Sequence, residues 1–380
     1  MTEAIGMAGM IEAPVVFVEV QRGGPSTGVP TKTEQADLNQ VYGASQGDYP
    51  RAIIAPTDTT DCFYSAVEAF NLAEKYQLPV TIISDLLVSE HPETIEPDAL
   101  TNEVPIDRGD IVSDWPEANG TYKRYAFTKS GVSPRALPGT EGTLYVAATD
   151  DHDEEGILIS DIFTTSAVRR KVQEKRMRKL DGLLRDTRPP VLEGPTDADV
   201  TLIGWGSTKG VIHEAIVQLA ADGIRANQLQ IKYLTPFHSS EITEILRGCK
   251  KTICVEANYS GQFARHLRAE TGFSVDDHIL KYDCEPFEPH QIVEEVKAIL
   301  EGRERSRNVT IDEAREMAYH YIRSRLTETL RPGKISQRDG NGFDEAVWDI
   351  EIVSREAGEK RGQLLIGVET GSTYSWQPVA

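Results

Sequence analysis

The sequence is poor in cysteine, which limits the cofactors that the chain can hold by itself. Its 380 residues include four cysteines, and none of them lies in a Cys-x-x-Cys pair. A zinc ribbon or an iron–sulfur cluster is therefore not expected on this chain. Four scattered thiols in a chain of this length favour a reducing compartment, so we expect a cytoplasmic protein.

Long apolar runs and a surplus of positive charge are also missing. No stretch has the length of a membrane-spanning helix, and residues 1–10 lack the basic and apolar regions of a signal peptide. The 40 basic residues stand against 60 acidic ones, which gives a formal charge of −20. Nucleic acid and anionic membranes would repel such a chain, so we expect neither as a partner.

Short apolar segments around a helical pattern predict an α/β fold near the start of the chain. Residues 15–20, 52–55 and 80–83 are typical of buried parallel strands, and Asp58 can cap a helix between the last two. Strand, helix and strand with short connections favour a parallel sheet. Because three strands make a thin sheet, we expect preceding strands that are truncated or lie on another polypeptide.

A second run of strands and helices predicts another α/β domain, of the βαβαβ type. Its strands are predicted at residues 200–203, 229–233 and 252–255. The predicted division of the chain is a first α/β domain over 1–95, an irregular connecting segment with a basic helix over 96–191, the second α/β domain over 192–300, and a polar tail with one helix over 301–380.

Three polar stretches have more than one interpretation. The acidic run 150–155 contains His152 and could bind a cation, but such runs are more often solvated loops. The basic helix over 166–184 could bind nucleic acid, but on an acidic chain it favours an inter-domain or inter-subunit helix. In the tail, residues 347–353 and 364–368 either pair as strands or belong to a flexible segment, after a helix that a capping box begins.

A glycine-rich loop after the first predicted strand carries the residues best suited to bind a ligand. It would lie at the carboxyl end of a parallel strand, where open α/β sheets bind their ligands. Arg22 can grip a carboxylate with two parallel hydrogen bonds, and Thr31 offers a hydroxyl group. The candidates that would lie beside the ligand are Gly23, Gly24, Ser26, Thr27 and Gly28. A tight turn with a solvated arginine is the alternative interpretation.

Three motifs give the chain a resemblance to a known family. They are VQRGGPSTGVPTKTEQADL at 20–38, DCFY at 61–64 with AFNLAEKY at 69–76, and YKRY at 122–125 with SPRALPG at 133–139. This pattern resembles the α subunit of 2-oxoacid:ferredoxin oxidoreductases. The resemblance implies a partial thiamine-pyrimidine-binding domain with a parallel sheet, followed by a domain similar to the transketolase C-terminal domain.

The resemblance also implies an activity and a set of partners. In the family, a loop arginine holds the 2-oxoacid carboxylate and a threonine assists, and these match Arg22 and Thr31. Thiamine diphosphate with Mg²⁺ would be shared with a β subunit, which would also hold a [4Fe–4S] cluster. The complex would decarboxylate a 2-oxoacid, with 2-oxoglutarate foremost, and would use coenzyme A and ferredoxin. No catalytic residue and no metal ligand is implied on this chain.

The chain also departs from the family, so two other interpretations stay open. The family's Tyr-Pro-Ile-Thr-Pro motif, its activating glutamate and the Gly-Asp-Gly metal motif are not found. One alternative is another transketolase-like enzyme, such as a dehydrogenase E1 β subunit, in which the loop of Arg22 is not expected. The other is a non-catalytic assembly subunit. We further expect Lys32 to be solvated, and Glu256 and Asn258 to face a subunit contact.

Overall fold

The computed structural model describes residues 2–101, 103–116, 120–159, 165–303, 310–340, 342–343 and 345–379. The chain divides into two compact units, Met1–Lys297 and Ala298–Ala380. In the part that the structure describes, no helix is long and apolar enough to span a membrane. The domain boundaries predicted within the first unit, at residues 95 and 191, stay predictions.

The first unit begins with the predicted parallel sheet and its helices. Its elements are α1 (Thr2–Met10), β1 (Val15–Gln21), α2 (Leu38–Tyr42), β2 (Ala52–Ile54), α3 (Thr59–Tyr76), β3 (Pro79–Asp85) and α4 (Leu86–Glu90). β2 and β3 pair in parallel and are buried along their whole length, as predicted. Asp58 caps α3 by accepting a hydrogen bond from the backbone nitrogen of Asp61 at 2.8 Å.

A connecting segment and a second sheet complete the first unit. The connecting segment holds β4 (Ile111–Val112), β5 (Arg135–Ala136), α5 (Ser166–Met177) and α6 (Lys179–Asp186). The chain continues as β6 (Leu192–Glu193), β7 (Val200–Trp205), α7 (Thr208–Ala221), β8 (Ala226–Ile231), β9 (Tyr233–Thr235), α8 (Ser239–Arg247), β10 (Thr252–Glu256), α9 (Gln262–Thr271), β11 (Asp277–Leu280) and α10 (Pro289–Glu301). The second sheet has the order β11–β10–β7–β8–β6, and its first four strands are parallel. The predicted α/β class is confirmed.

The first sheet has one strand more than the sequence predicted. The predicted strand at 229–233 is divided, because β8 ends at Ile231 and β9 joins the first sheet, where it pairs antiparallel with β2. The resulting order is β1–β3–β2–β9. The residues Leu-Gln-Ile-Lys-Tyr at 229–233 carry no turn signal that would mark such a transfer.

The burial predicted for the first strand is wrong. β1 pairs with β3 and is the outer strand of the sheet in the described part of the chain. Its Val18 and Val20 are 61% and 39% exposed. Apolar, β-branched residues predict a strand, but the same residues occur in central strands and in edge strands whose outer face is open.

One hydrophobic core joins the two sheets of the first unit. It contains Ile53 and Ile83 from the first sheet and Trp205 and Leu229 from the second, all fully buried. A separate cluster lies under α3 and α6 and includes Leu183. The two sheets are therefore packed as one body rather than linked only by the chain.

The connecting segment buries several charged side chains. The predicted basic helix is divided into α5 and α6 at Arg178, and Lys175, Arg176 and Lys179 are at most 2% exposed. His152 is also fully buried. The interpretation of 150–155 as a solvated loop is therefore wrong at His152, because the ring packs against Tyr125 with a centroid distance of 4.0 Å.

The second unit contains one helix and an antiparallel sheet. Its elements are α11 (Ile311–Arg325), β12 (Leu330–Arg338), β13 (Val347–Ser354), β14 (Lys360–Gly367) and β15 (Thr373–Pro378), with the strands in sequence order. Thr310 and Glu313 form the predicted capping box. Of the two interpretations of the tail, strand pairing is the correct one, and Ile350 and Leu364 pack against α11.

The two neighbouring leucines of α6 give a matched test of the core. Leu183 is fully buried, whereas Leu184 is 38% exposed. Leu183→Ala should lower the free energy of unfolding by roughly 2–5 kcal/mol, because it leaves a cavity under the first sheet. Leu184→Ala should cost less than about 1 kcal/mol. Chemical denaturation of both variants measures this, and equal losses would contradict the packing of α6.

Candidate functional site

The predicted site residues lie on one closed loop at the carboxyl end of β1. We call residues 22–37 the β1 loop. Gly23 and Val29 form an antiparallel bridge, in which the nitrogen of Val29 donates to the oxygen of Gly23 at 2.9 Å. The nitrogen of Gly23 donates to the oxygen of Lys32 at 3.1 Å. The loop thus bonds to itself, and it brings all seven predicted residues together.

Most of these residues are open to solvent. Arg22 is exposed and has neither an ion pair nor a hydrogen bond with any residue that the structure describes. Thr31 is also exposed. Of the others, Gly23 is buried, and the exposed ones are Gly24, Ser26, Thr27 and Gly28. The guanidinium of Arg22 is therefore available to an incoming carboxylate, and no internal acid competes for it.

The glycines of the loop serve different purposes. Gly28 has a φ of 46°, and a Cβ at this position would overlap the carbonyl of Gly23. A Cβ at Gly23 would collide with the sulfur of Cys284. Gly24, in contrast, has no atom within 4 Å of an added Cβ. Two of the three glycines are thus required by the packing of the loop, and the third leaves open space.

A buried glutamine fixes the far end of the loop to the second sheet. Gln35 is fully buried, and its side-chain nitrogen donates to the oxygen of Trp205 at 2.9 Å. Its side-chain oxygen accepts from the nitrogen of Ala257 at 3.1 Å, and its backbone nitrogen donates to the oxygen of Ala257 at 2.6 Å. Its backbone oxygen accepts from Asn258 at 3.1 Å. The sequence analysis missed Gln35, because its partners are far away along the chain.

Other buried polar groups tie the loop to the first sheet. Gln21 donates to the oxygen of Ser84 at 3.2 Å and accepts from the nitrogen of Asp37 at 3.0 Å. Thr33 accepts from the nitrogen of Leu87 at 3.3 Å, where α4 begins. Because both ends of the loop are bonded to buried strands or helix starts, the segment around Arg22 is held on a rigid base.

The sequence analysis expected Glu256 and Asn258 to face a subunit contact, and the structure contradicts this expectation. Both are buried within the chain. Glu256 accepts from the nitrogens of Phe263 and Ala264 at 2.7 and 3.0 Å, and Asn258 accepts from the nitrogen of Gly261 at 2.7 Å. They satisfy the free backbone donors at the start of α9. Asn258 also bonds to the β1 loop, so this helix cap and the loop form one network.

The charges around the loop are unevenly exposed. Burial raises the pKa of Glu34 and of Asp37, and burial together with the charge of Asp37 raises the pKa of Glu19. Lys32 forms an ion pair with Glu285, so it is not merely solvated as the sequence analysis expected. The acids of the loop are thus partly desolvated, while the guanidinium of Arg22 faces solvent.

A cleft of about 620 Å³ opens at the carboxyl ends of β2 and β7. Leu87 and Phe287 are among its apolar residues, and Lys209 and Asp58 are among its charged residues. Lys209 and Asp58 form an ion pair at 3.1 Å, so neither charge is free for a ligand. Arg22 is not among the lining residues, which separates this cleft from the predicted substrate site.

The cysteines and acids do not assemble into a metal centre in the described part of the chain. The four cysteines are free thiols. No group of three or more His, Cys, Asp or Glu side chains is close enough to hold a metal ion there.

Comparison with known proteins defines the class. Residues 1–169 match the family described as "Pyruvate flavodoxin/ferredoxin oxidoreductase, thiamine diP-bdg". Residues 198–292 match "Pyruvate:ferredoxin oxidoreductase core domain II". The first match covers β1 to β3, and the second covers β7 to β11. The chain therefore contains two domains of the pyruvate flavodoxin/ferredoxin oxidoreductase class, and the first of them is described as thiamine-diphosphate-binding.

Individual relatives identify the family within that class. The 2-oxoacid:ferredoxin oxidoreductase subunit alpha of Saccharolobus solfataricus is 37% identical over 311 residues, which are 80% of this chain and 48% of that protein. The 2-oxoglutarate synthase subunit KorA of Methanothermobacter marburgensis is 32% identical over 78% of this chain and 76% of its own length. The chain belongs to the family of 2-oxoacid:ferredoxin oxidoreductase α subunits.

A solved structure has the same fold. It is the 2-oxoglutarate:ferredoxin oxidoreductase from Magnetococcus marinus with 2-oxoglutarate, coenzyme A and succinyl-CoA bound. The TM-score is 0.68 at 36% identity, and the match covers 78% of this chain and 50% of that chain. The chain spans about half the length of several relatives that it matches.

The anchoring role of Gln35 can be tested with a matched variant. Gln35→Met removes the side-chain bonds to Trp205 and Ala257 and leaves a buried acceptor and a buried donor unpaired. We expect a loss of roughly 1–3 kcal/mol in the free energy of unfolding and faster hydrogen exchange in the β1 loop. Gln40→Met, at an exposed position, is the control and should change neither. Unchanged exchange in the loop of the Gln35 variant would refute the anchor.

Two glycine variants test the packing of the loop. Gly28→Ala should destabilise the chain by at least about 1 kcal/mol, because alanine is strained at positive φ and its Cβ would overlap the carbonyl of Gly23. Gly24→Ala has open space and should be close to neutral. Thermal unfolding of the pair measures the difference, and the reverse order of stabilities would show that the loop geometry is wrong.

Proposed function

We propose that this chain works with a β subunit in the oxidative decarboxylation of a 2-oxoacid, with formation of an acyl-CoA and reduction of ferredoxin. The observation that carries the proposal is the guanidinium of Arg22, which is exposed and unpaired within the described residues at the carboxyl end of β1. A fixed, unpaired arginine is the group best suited to hold a carboxylate in two parallel hydrogen bonds. Membership of the α-subunit family supports the assignment.

Arg22 and Thr31 act on the substrate in this proposal. Arg22 pairs with the carboxylate of the 2-oxoacid, and the hydroxyl of Thr31 donates a hydrogen bond to one of its oxygens. Both residues position the substrate and transfer no proton. Gly23, Gly24, Ser26, Thr27 and Gly28 form the backbone that passes beside the cofactor. The buried bonds of Gln35 and Gln21 keep this geometry before the substrate arrives.

2-Oxoglutarate is the proposed substrate, ahead of pyruvate and branched-chain 2-oxoacids. Two relatives that this chain matches over about three quarters of their length are named 2-oxoglutarate synthase subunits. The structural relative at a TM-score of 0.68 contains 2-oxoglutarate and coenzyme A. These names support the substrate class for this chain.

The proposal assigns most of the cofactor chemistry to the partner. Thiamine diphosphate, held with Mg²⁺ between the subunits, supplies the electron sink for decarboxylation. The [4Fe–4S] cluster belongs to the β subunit, and the free thiols of this chain fit that division. Those thiols also fit the reducing cytoplasm in which we place the complex. What this chain contributes is the orientation and charge pairing of the substrate.

The complex can be assayed directly. Three polypeptides are co-expressed: this chain, a β subunit, and the part of a longer relative that this chain does not span. Reduction of a one-electron acceptor is then measured as a function of 2-oxoglutarate concentration. No 2-oxoacid-dependent reduction by the assembled complex would reject the proposed function and leave the assembly-subunit interpretation.

The contribution of Arg22 has its own prediction. Arg22→Ala should raise the KM for the 2-oxoacid by roughly 30-fold or more, equivalent to ~2 kcal/mol, and leave the KM for coenzyme A unchanged. The reason is that only the 2-oxoacid carboxylate loses its partner. Arg247→Ala, at an exposed position in α8, is the control. A KM for the 2-oxoacid equal to that of the wild type would remove Arg22 from the substrate site.

A further inference from the structure

A group of buried charges lies away from the β1 loop, where α5 and α6 meet the segment between α1 and β1. We call it the Glu12 cluster, and its members are Glu12, Arg124, Asp151, Lys175, Arg176 and Lys179. Glu12 is 1% exposed, and its oxygens lie 2.7 Å from the nitrogen of Lys175 and 2.6 Å from that of Lys179. Burial alone would raise the pKa of Glu12, but the charges of Lys179 and Lys175 hold that pKa well below its usual range.

Arg176 is buried in this cluster, and two nitrogens of its guanidinium have no hydrogen-bond partner. It is 2% exposed, and its Nη1 donates to Asp151 at 3.1 Å. Its Nε and Nη2 have no hydrogen-bond partner, and Nε is 3.9 Å from the nearer oxygen of Glu12. Buried donors of this kind are almost always bonded to protein, water or an ion. Oδ2 of Asp151 also has no hydrogen-bond partner, although it lies 2.9 Å from Nε of Arg169. Nε and Nη2 of Arg176 are thus left without an acceptor among the described residues.

A buried histidine beside Arg176 is also incompletely bonded. His152 is fully buried, and its Nδ1 lies 2.9 Å from the oxygen of Asp150. Its Nε2 has no partner. Because the carbonyl of Asp150 can only accept, Nδ1 carries the proton in the neutral ring, and Nε2 becomes a donor only when the ring gains a second proton. Burial lowers the pKa of His152, and the charge of Arg176 lowers it further.

The charges of the cluster do not balance. Four cations, Arg124, Lys175, Arg176 and Lys179, are nine-tenths or more buried. The carboxylates among the cluster's members are those of Glu12 and Asp151. Burial lowers the pKa of Lys175 as well as that of Lys179, and with both amines protonated four positive charges face two negative ones. A water molecule could accept from Arg176 but would leave this excess, and unbalanced buried charge is costly.

We propose that a small monovalent anion of the halide type binds in the Glu12 cluster, held by Nε and Nη2 of Arg176. The anion balances the cluster and accepts the two free hydrogen bonds. The site stabilises the junction that leads into β1, and it is independent of the function proposed for the β1 loop.

The affinity for the anion should rise as the pH falls. Lys179 faces Glu12, Lys175, Arg124 and the carbonyl of Gln77. Burial lowers the pKa of Lys179 to about 7, although the charge of Glu12 opposes this shift. Protonation as the pH falls through about 7 adds positive charge to the cluster. His152, which faces Arg176, Glu12, Asp151 and Tyr125, adds charge at still lower pH. Anion binding is therefore tighter on the acid side.

Thermal unfolding of the full chain tests the site. The midpoint is measured while chloride or bromide replaces gluconate at constant ionic strength. We expect the halide to raise the midpoint by about 2 °C or more, with saturation, because it binds the folded state alone. The rise should be larger below pH 7 than above it. Equal midpoints in halide and gluconate at every pH would overturn the proposal.

Two variants on the same helix give the matched comparison. Arg176→Met removes the donors, and its midpoint should not respond to halide. Arg169→Met removes an exposed arginine that also pairs with Asp151, and it should keep the response of the wild type. A halide response that persists in a folded Arg176→Met chain would contradict the site.

A crystallographic measurement does not depend on the folding of any variant. Crystals of the wild type are grown in bromide, and anomalous differences are collected at the bromine edge. The proposal predicts a peak within hydrogen-bond distance of Nε and Nη2 of Arg176. Density for a water molecule at this place, without an anomalous signal, would overturn it.

Discussion

The four hydrogen bonds of Gln35 are the constraint on which the arrangement of the site depends. A glutamine has one donor group and one acceptor in its side chain and the same pair in its backbone, and here both pairs are used within the second sheet. The β1 loop begins at the first sheet and is bonded to the second, so it crosses the carboxyl ends of both sheets. Arg22 is exposed, but the backbone of the β1 loop that carries it is held in place by these buried hydrogen bonds.

The strand that precedes Arg22, β1, is fixed at both ends although it is the outer strand of its sheet in the described part of the chain. Before β1, Glu12 is paired with Lys175 and Lys179 inside the first unit. At its other end, Gln21 bonds to Ser84 of the neighbouring strand. An edge strand bonded on one side would otherwise be the least constrained part of a sheet.

Much of the fold could be predicted from the sequence wherever the cause is local. The cap at Asp58, the capping box at Thr310 and the strands at 52–55 and 80–83 each depend on residues within a few positions of one another. The β1 loop is singled out as a candidate because Arg22 and its glycines lie within seven residues, 22–28. The seven site residues predicted in this way lie together, and their roles remain proposals.

By itself, the sequence determined the α/β class, the main helices and strands, the family, and the loop on which Arg22 stands. Only the tertiary structure decided that β9 joins the first sheet, that β1 is the outer strand of that sheet among the described residues, and that Lys175 and Lys179 are buried on Glu12. Periodicity reports which residues avoid water, but not which distant groups they meet. Gln35 and Ala257 are 222 residues apart, and a bond over that separation exists only after the chain has folded.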